Sequence, residues 1–252
     1  MRLSRQPDSL LSLTDFNGKP LNERLMWQSF RKLMDDNGYA LLRNVHDEFD
    51  PVAFCKELGD FVPQYTGVMV GDVIPEPGMD DFYHAGNSRP LLPHSEGYDF
   101  VGLPPRYLAL WCIKPAHGSG GETTLADAYD WVSTLTGEER SCLLERVYKW
   151  TTTDAVRSMG LKLSARHPIL EERNGRFIVR FSYNNLIRDT SDEFTERILS
   201  GGKEFFYRAH FAVEYYKNDM LVLDNWRMLH ARNAFTDRGR HLKRIQIGGD
   251  AG

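Results

Sequence analysis

The sequence predicts a mostly β protein with flanking helices (α+β), a double-sheet jelly roll with helical support. Three observations carry this. Residues 106–113 are apolar on both faces, as an interior strand of a layered core must be. β-rich runs recur along the chain with helical segments inserted between them. The 252 residues contain no internal repeat and no linker, and β barrels and sandwiches commonly fill that length as one domain. One domain over residues 1–252 is expected, with its core from about residue 38 to 247.

Leu25, Met26, Phe30, Leu33 and Met34 fall at helical spacing within residues 21–36, and Asn37-Gly38 supplies the stop. Tyr39–Arg43 follows as a short buried strand. Asp50-Pro51 opens a second helix, with Pro in its first turn and Gly59 just past its end. Residues 63–92 are rich in Gly and Pro and show little periodicity. A loop that long is usually functional, and here it predicts a lid over a site. After the strand at 106–113, residues 126–135 read as helical. Thr136-Gly137-Glu138-Glu139 is a capping-box pattern that starts another helix, through about residue 146. Residues 148–153, 176–182 and 211–216 are β-rich or alternating, and Lys217-Asn218-Asp219 turns the chain into a strand at 220–223. Residues 191–199 read as a helix capped by Ser191 and closed by Gly201-Gly202.

A hydrophobic fraction of 41% and a charged fraction of 26% are those of an ordinary soluble protein. Net charge is −4 and no stripe of Lys and Arg forms, which argues against a nucleic-acid partner. The cluster Arg232, Arg238, Arg240, Lys243 and Arg244 reads instead as anion recognition within a site. Cys55, Cys112 and Cys142 are odd in number and widely spaced, so free buried thiols in a reducing compartment are expected. Residues 1–7 lack a signal-peptide apolar core, and no stretch approaches membrane-spanning length. No membrane partner and a cytoplasmic location are the corresponding expectations.

The chemistry concentrates in His94-Ser95-Glu96 and His230. Two imidazoles and one carboxylate on one face of an octahedral ion leave the opposite face open, as in non-haem Fe(II) sites that activate oxygen. In an extended segment, side chains at i and i+2 leave the same side. Isolated H-x-E triplets arise by chance in many chains, so the weight lies in what surrounds this one. Downstream stand Pro105-Arg106-Tyr107-Leu108-Ala109-Leu110-Trp111, then Gly120-Gly121-Glu122-Thr123-Thr124. Near the end stand Asp224-Asn225-Trp226-Arg227-Met228-Leu229-His230, followed by Arg240 and Arg244. From about Gly38 to Ile247 this order resembles the Fe(II)/2-oxoglutarate-dependent oxygenases of the taurine dioxygenase superfamily, in particular the clavaminate synthase-like branch.

The resemblance implies Fe(II) held by His94, Glu96 and His230, with 2-oxoglutarate as cosubstrate and O2 as oxidant. His230, after a strand ending at Asp224, would reach the mouth of the barrel. The distal carboxylate of 2-oxoglutarate needs a fork-shaped cation and a hydroxyl. Arg240 and Thr123 match the family positions for these, with Thr124 an open alternative. On a strand Arg244 would point the same way as Arg240, and an unpaired buried charge is costly. The resemblance gives Arg244 the substrate's own carboxylate or sulfonate. Glu at position 96, where taurine dioxygenase-like members carry Asp, implies that one oxygen binds iron and the other takes a substrate α-amine. It also speaks against halogenation, since chlorinating relatives carry Gly or Ala there.

Arg244 and Glu96 together describe a small-molecule substrate carrying a carboxylate and an amine. His84 stands where relatives place a substrate-contacting polar side chain, and Tyr98, Asp99 and residues 180–185 are further pocket candidates. His117, His167, His210 and His241 read as structural. The expected reaction is hydroxylation of an unactivated carbon of an amino-acid-like molecule, with release of succinate and CO2. Desaturation or cyclisation by the same cofactors is the alternative. A non-redox jelly-roll metal-binding protein would give Arg240 and Thr123 no purpose.

Overall fold

Two β-sheets lie face to face and helices cover their outer sides, in a computed structural model that describes residues 9–15, 18–80, 82, 85–187, 189 and 191–249. Residues 1–7 and His84, on which two of the expectations fall, lie outside the described residues.

The larger sheet has seven strands. Leu10–Ser12, Tyr39–Arg43, Met220–Asp224, Tyr107–Lys114, His241–Ile247 and Phe61–Val62 follow one another across it, and Val70–Val73 also pairs with His241–Ile247. The smaller sheet has four, in the order Phe211–Val213, Thr123–Asp127, Met228–Arg232, Leu91–His94. This is the predicted jelly roll.

Strand periodicity explains why so many strands are apolar throughout. Side chains alternate between two faces, and here both faces are covered. In Tyr39–Arg43, Tyr39 and Leu41 join Leu108, Leu110, Leu125 and Met228 between the sheets. Ala40 and Leu42 face the other way, into a cluster with Phe30 and Met34 of the helix Glu23–Asn37 and Phe54 of the helix Pro51–Lys56. The outer side of the smaller sheet is closed by Trp131, Ile198, Leu199 and Phe206 from two further helices. Interior strands therefore carry no polar alternation to read.

The local signals of the first half perform as expected. Gly38 ends the first helix in the left-handed region at φ 76°, and Asp50 caps the second through the amides of Val52 and Ala53. The capping box at Thr136 and Glu139 is formed, and its helix runs over Gly137–Glu145.

Several expectations are corrected. Residues 63–92 are not wholly irregular, because Val70–Val73 fills the free edge of the strand His241–Ile247. The helix placed at 126–135 begins later: Thr123–Asp127 is a strand, and Asp127 caps the helix Ala128–Ser133. His230 does come after a strand ending at Asp224, Met220–Asp224, but it lies within a further strand that was not expected, Met228–Arg232. The helix placed at 191–199 is capped by Asp192 and continues as Glu193–Ala209, straight through Gly201-Gly202. Packing overrides the glycine stop there: a Cβ on Gly202 would lie 2.7 Å from the Phe181 ring and 2.9 Å from Trp131. The cysteines are all free, with Cys55 and Cys112 buried and Cys142 only partly so. Among the described residues no helix is long and apolar enough to cross a membrane.

Candidate metal centre

Two paired strands, and the segment that follows one of them, bring the predicted ligands together. His230 lies on Met228–Arg232 directly opposite His94 on the antiparallel neighbour Leu91–His94. Leu229 and Ala231 fill the outer core, so His230 and Arg232 project between the sheets. Past His94 the chain is held extended by Phe181: the Ser95 amide donates to its carbonyl at 2.9 Å and the Ser95 Oγ accepts from its amide at 3.0 Å. Asn225 then fixes the backbone of Glu96. Its Oδ1 accepts from the Glu96 amide at 2.6 Å, and its Nδ2 donates to the carbonyls of Glu96 and Pro105.

The result is a compact triad. Glu96 Oε2 lies 3.8 Å from Nε2 of both His94 and His230, and the two imidazole rings are 4.3 Å apart. One ligand atom from each residue falls within 4.8 Å of the other two, a spacing one ion can bridge. The Leu92 carbonyl can only accept, so at 2.8 Å it fixes the His94 proton on Nδ1 and leaves Nε2 as a lone pair aimed at the centre. Burial, then the neighbouring His230, pushes the His94 pKa down to about 4. It is neutral and ligand-ready at physiological pH. Burial works against the charge of Glu96, but Arg244, His230 and His94 more than offset it and hold the carboxyl far below the usual range. Two imidazoles and a carboxylate form the donor set that an open-faced Fe(II) site uses.

Glu96 differs from expectation at its second oxygen. Oε1 is not left free for a substrate amine: it accepts from Gln246 Nε2 at 2.9 Å and lies 3.0 Å from Arg244 Nη1. Gln64 steadies that arginine, its Oε1 accepting from Arg244 Nη2 at 2.7 Å and Nε at 3.0 Å.

A second polar centre opens on the same cavity. Arg240 is 2% exposed, its Nε donates to the Gly121 carbonyl at 3.0 Å, and its Nη1 is buried without a partner among the described residues. Gly121 allows this approach, since a Cβ there would lie 3.1 Å from the Arg240 Nε. Thr123 Oγ1 and Tyr215 OH hydrogen-bond at 2.8 Å, both buried. Thr123 lines the cavity, whereas Thr124, on the opposite face of the same strand together with Ala126, does not. Of the two hydroxyls, Thr123 is therefore the one on the cavity side. An unpaired guanidinium nitrogen beside two hydroxyls suits a carboxylate.

The cavity encloses about 900 Å³ when its open mouth is counted. Tyr65, Tyr98, Thr153, Val156 and Leu91 line it together with both polar centres. Residues 180–185 do not. Arg180 instead donates to the carbonyls of Gly97 and Gly102 and braces the turn behind Glu96. Arg232, which also lines the cavity, anchors residues 85–89 by donating to the Ala85 and Arg89 carbonyls and to Asn87 Oδ1.

Asp99 is buried and accepts from Tyr65 OH at 2.7 and 2.9 Å. Burial dominates and pushes its pKa up from 3.8 to about 6. The folded state therefore holds this proton more tightly than the unfolded chain, and stability is lost as pH rises through that window. Asp99→Asn keeps an acceptor for Tyr65 without the charge. Its thermal midpoint, measured metal-free, should gain on the wild type between pH 4 and pH 8. A difference independent of pH would count against this.

Comparison with known proteins adds the lineage. The profile of the taurine catabolism dioxygenase TauD, TfdA family matches residues 11–246. The chain belongs to this family. The chain is 24% identical over 241 residues to 3-((Z)-2-isocyanoethenyl)-1H-indole synthase of Fischerella ambigua, covering 89% of this chain and 84% of that protein. It is 24% identical over 213 residues to tyrosine isonitrile desaturase of Pseudomonas aeruginosa, covering 77% and 70%. Among solved structures, asparagine oxygenase with Fe(II), 2S,3S-3-hydroxyasparagine and succinate superposes with a TM-score of 0.74 at 19% identity, over 90% of this chain and 82% of that one. As a member of the TauD, TfdA family the chain is a non-haem iron dioxygenase, and its three clustered ligands fit that metal.

Sequence reasoning missed Tyr215, Tyr65, Gln64 and Gln246. Of these only Gln246 left a usable signal, standing two residues beyond Arg244 and so on the same strand face.

Proposed function

We propose that this dioxygenase hydroxylates an unactivated carbon of a free amino acid or a close derivative. The observation that carries the reading is one cavity holding three things: the His94, Glu96, His230 triad, the unpaired Arg240 with its two hydroxyls, and the Arg244–Glu96 contact. Fe(II) at the triad, with O2 and 2-oxoglutarate, would supply the oxidising power to replace C–H by C–OH, one oxygen atom going to the product and the other to succinate as CO2 leaves. Arg240, Thr123 and Tyr215 would hold the distal carboxylate of the cosubstrate.

Arg244 and Glu96 carry the amino-acid specificity. Nη1 and Oε1 lie 3.0 Å apart as an internal ion pair. An α-amino acid brings the same two charges in opposite order, so it can replace this contact without stranding either one. Its carboxylate takes Arg244, and its ammonium takes the Oε1 position that Arg244 vacates. A simple carboxylic acid would satisfy only half of the exchange. His84, in the lid segment, is proposed as a further polar contact to this substrate.

Anaerobic addition of Fe(II) and 2-oxoglutarate should produce the weak visible absorption of a chelated keto acid. Its absence from well-folded protein would refute the cofactor assignment. A screen of free amino acids for substrate-stimulated succinate release then tests the substrate class. Desaturation is the second reading, favoured by the relatives that form or desaturate isonitriles. Product mass separates the two: hydroxylation adds an oxygen atom, whereas desaturation removes two hydrogens.

Arg244→Ala should separate the halves of the reaction. Iron and 2-oxoglutarate should still bind and slow uncoupled decarboxylation should persist, but substrate should no longer accelerate it. Lys should rescue poorly, for want of the guanidinium fork. Succinate released is compared with product formed; tight coupling preserved in Arg244→Ala would remove the carboxylate-anchor role.

A further inference from the structure

Gln246 is 1% exposed and sits in the strand His241–Ile247, opposite Leu108 on one neighbour and Val62 on the other. It shares the inner face with Arg244 and reaches Glu96 Oε1 at 2.9 Å. A carboxylate only accepts, so the amide must present its nitrogen, and its own oxygen is turned away. That oxygen is buried with no partner among the described residues. An unmade buried acceptor carries the full desolvation penalty of that oxygen. A leucine would fill the same space without that cost, so packing does not account for an amide here.

Gln246 and Arg244 both hold Oε1, but they stand differently toward a ligand. Arg244 lines the cavity, within reach of any anion that enters, whereas Gln246 is not among the lining residues. A substrate can take Arg244 from Glu96. It cannot take Gln246.

From this we infer that Gln246 is a positioning residue for the metal-binding carboxylate: it pins Oε1 of Glu96 and so confines ligation to Oε2, whether or not substrate is bound. Pinning one oxygen keeps Glu96 from spending both on the metal, so the open face stays free for cosubstrate and oxygen. The inference rests on the iron-site reading above.

The test is metal affinity, measured without oxygen, 2-oxoglutarate or substrate. Co(II), followed by its visible absorption, is titrated into wild type, Gln246→Leu and Gln246→Met. Both variants should bind roughly 10–100-fold more weakly, the usual cost of losing a partner behind a ligand. Their metal-free thermal midpoints should equal or exceed the wild-type value, because the unmade acceptor is gone. A purely structural glutamine would show the reverse: lower metal-free stability and unchanged affinity. That result overturns the inference and leaves the iron site standing, whereas failure of the wild type to bind metal overturns the iron reading itself. A crystal structure of the wild type with Fe(II) decides the matter independently of how the variants fold. Glu96 bound through Oε2 alone, with Gln246 on Oε1, supports the role; a chelating Glu96 overturns it.

Discussion

Replacing either His94 or His230 by alanine is expected to abolish iron binding and, with it, all turnover. The two rings are only 4.3 Å apart and share Glu96 Oε2, and among the described residues the site has three clustered protein donors and no fourth to substitute. Two remaining donors would hold the metal weakly and leave it open to water. Iron content of anaerobically loaded, desalted protein and succinate release measure the two effects. Stoichiometric iron with near-normal turnover in either variant would show that the assigned ligand is wrong.

Arg240→Leu is expected to leave iron affinity nearly intact and to raise the 2-oxoglutarate requirement steeply. The guanidinium is buried with an unpaired Nη1 beside the Thr123 and Tyr215 hydroxyls. Breaking a desolvated charge pair by removing one partner costs on the order of 3–5 kcal/mol, roughly 10²- to several 10³-fold in affinity. The apparent KM for 2-oxoglutarate and the intensity of the keto-acid absorption report it. An unchanged KM would move the anchor to Arg244 or Arg232.

Much of this was legible because its determinants are local. Gly38, Asp50-Pro51 and the Thr136 capping box act on their own few residues, and the strand Tyr107–Lys114 is apolar on both faces because both are covered. The triad was legible for another reason: the ligands are chemically conspicuous and ordered along the chain. What remained hidden depends on placement in three dimensions. The strand Met228–Arg232 escaped notice because His230 and Arg232 interrupt its apolar character, and they do so because the inner face there opens on a cavity. The Gly201-Gly202 stop failed because Phe181 and Trp131 press on that helix from elsewhere in the chain. Tyr215 lies outside any motif and gains its meaning only by meeting Thr123, ninety-two residues away. Gln246 reads as one more residue of a strand until Glu96 is seen at its amide.

The direct opposition of His94 and His230 across two antiparallel strands has a consequence for how the metal comes and goes. Ligands gathered from floppy loops would have to be ordered by the ion, and folding and loading would then be a single event. Here the backbone ladder acts as a fixed jig. The spacing of the imidazoles is set by strand pairing, Asn225 clamps the backbone of Glu96, and Gln246 and Arg244 hold its carboxylate. Emptying the site leaves the scaffold standing, and refilling it requires no search for shape. Iron is thereby a replaceable fitting in this protein, not a keystone: damage or loss of the metal idles the enzyme without committing the chain to unfold.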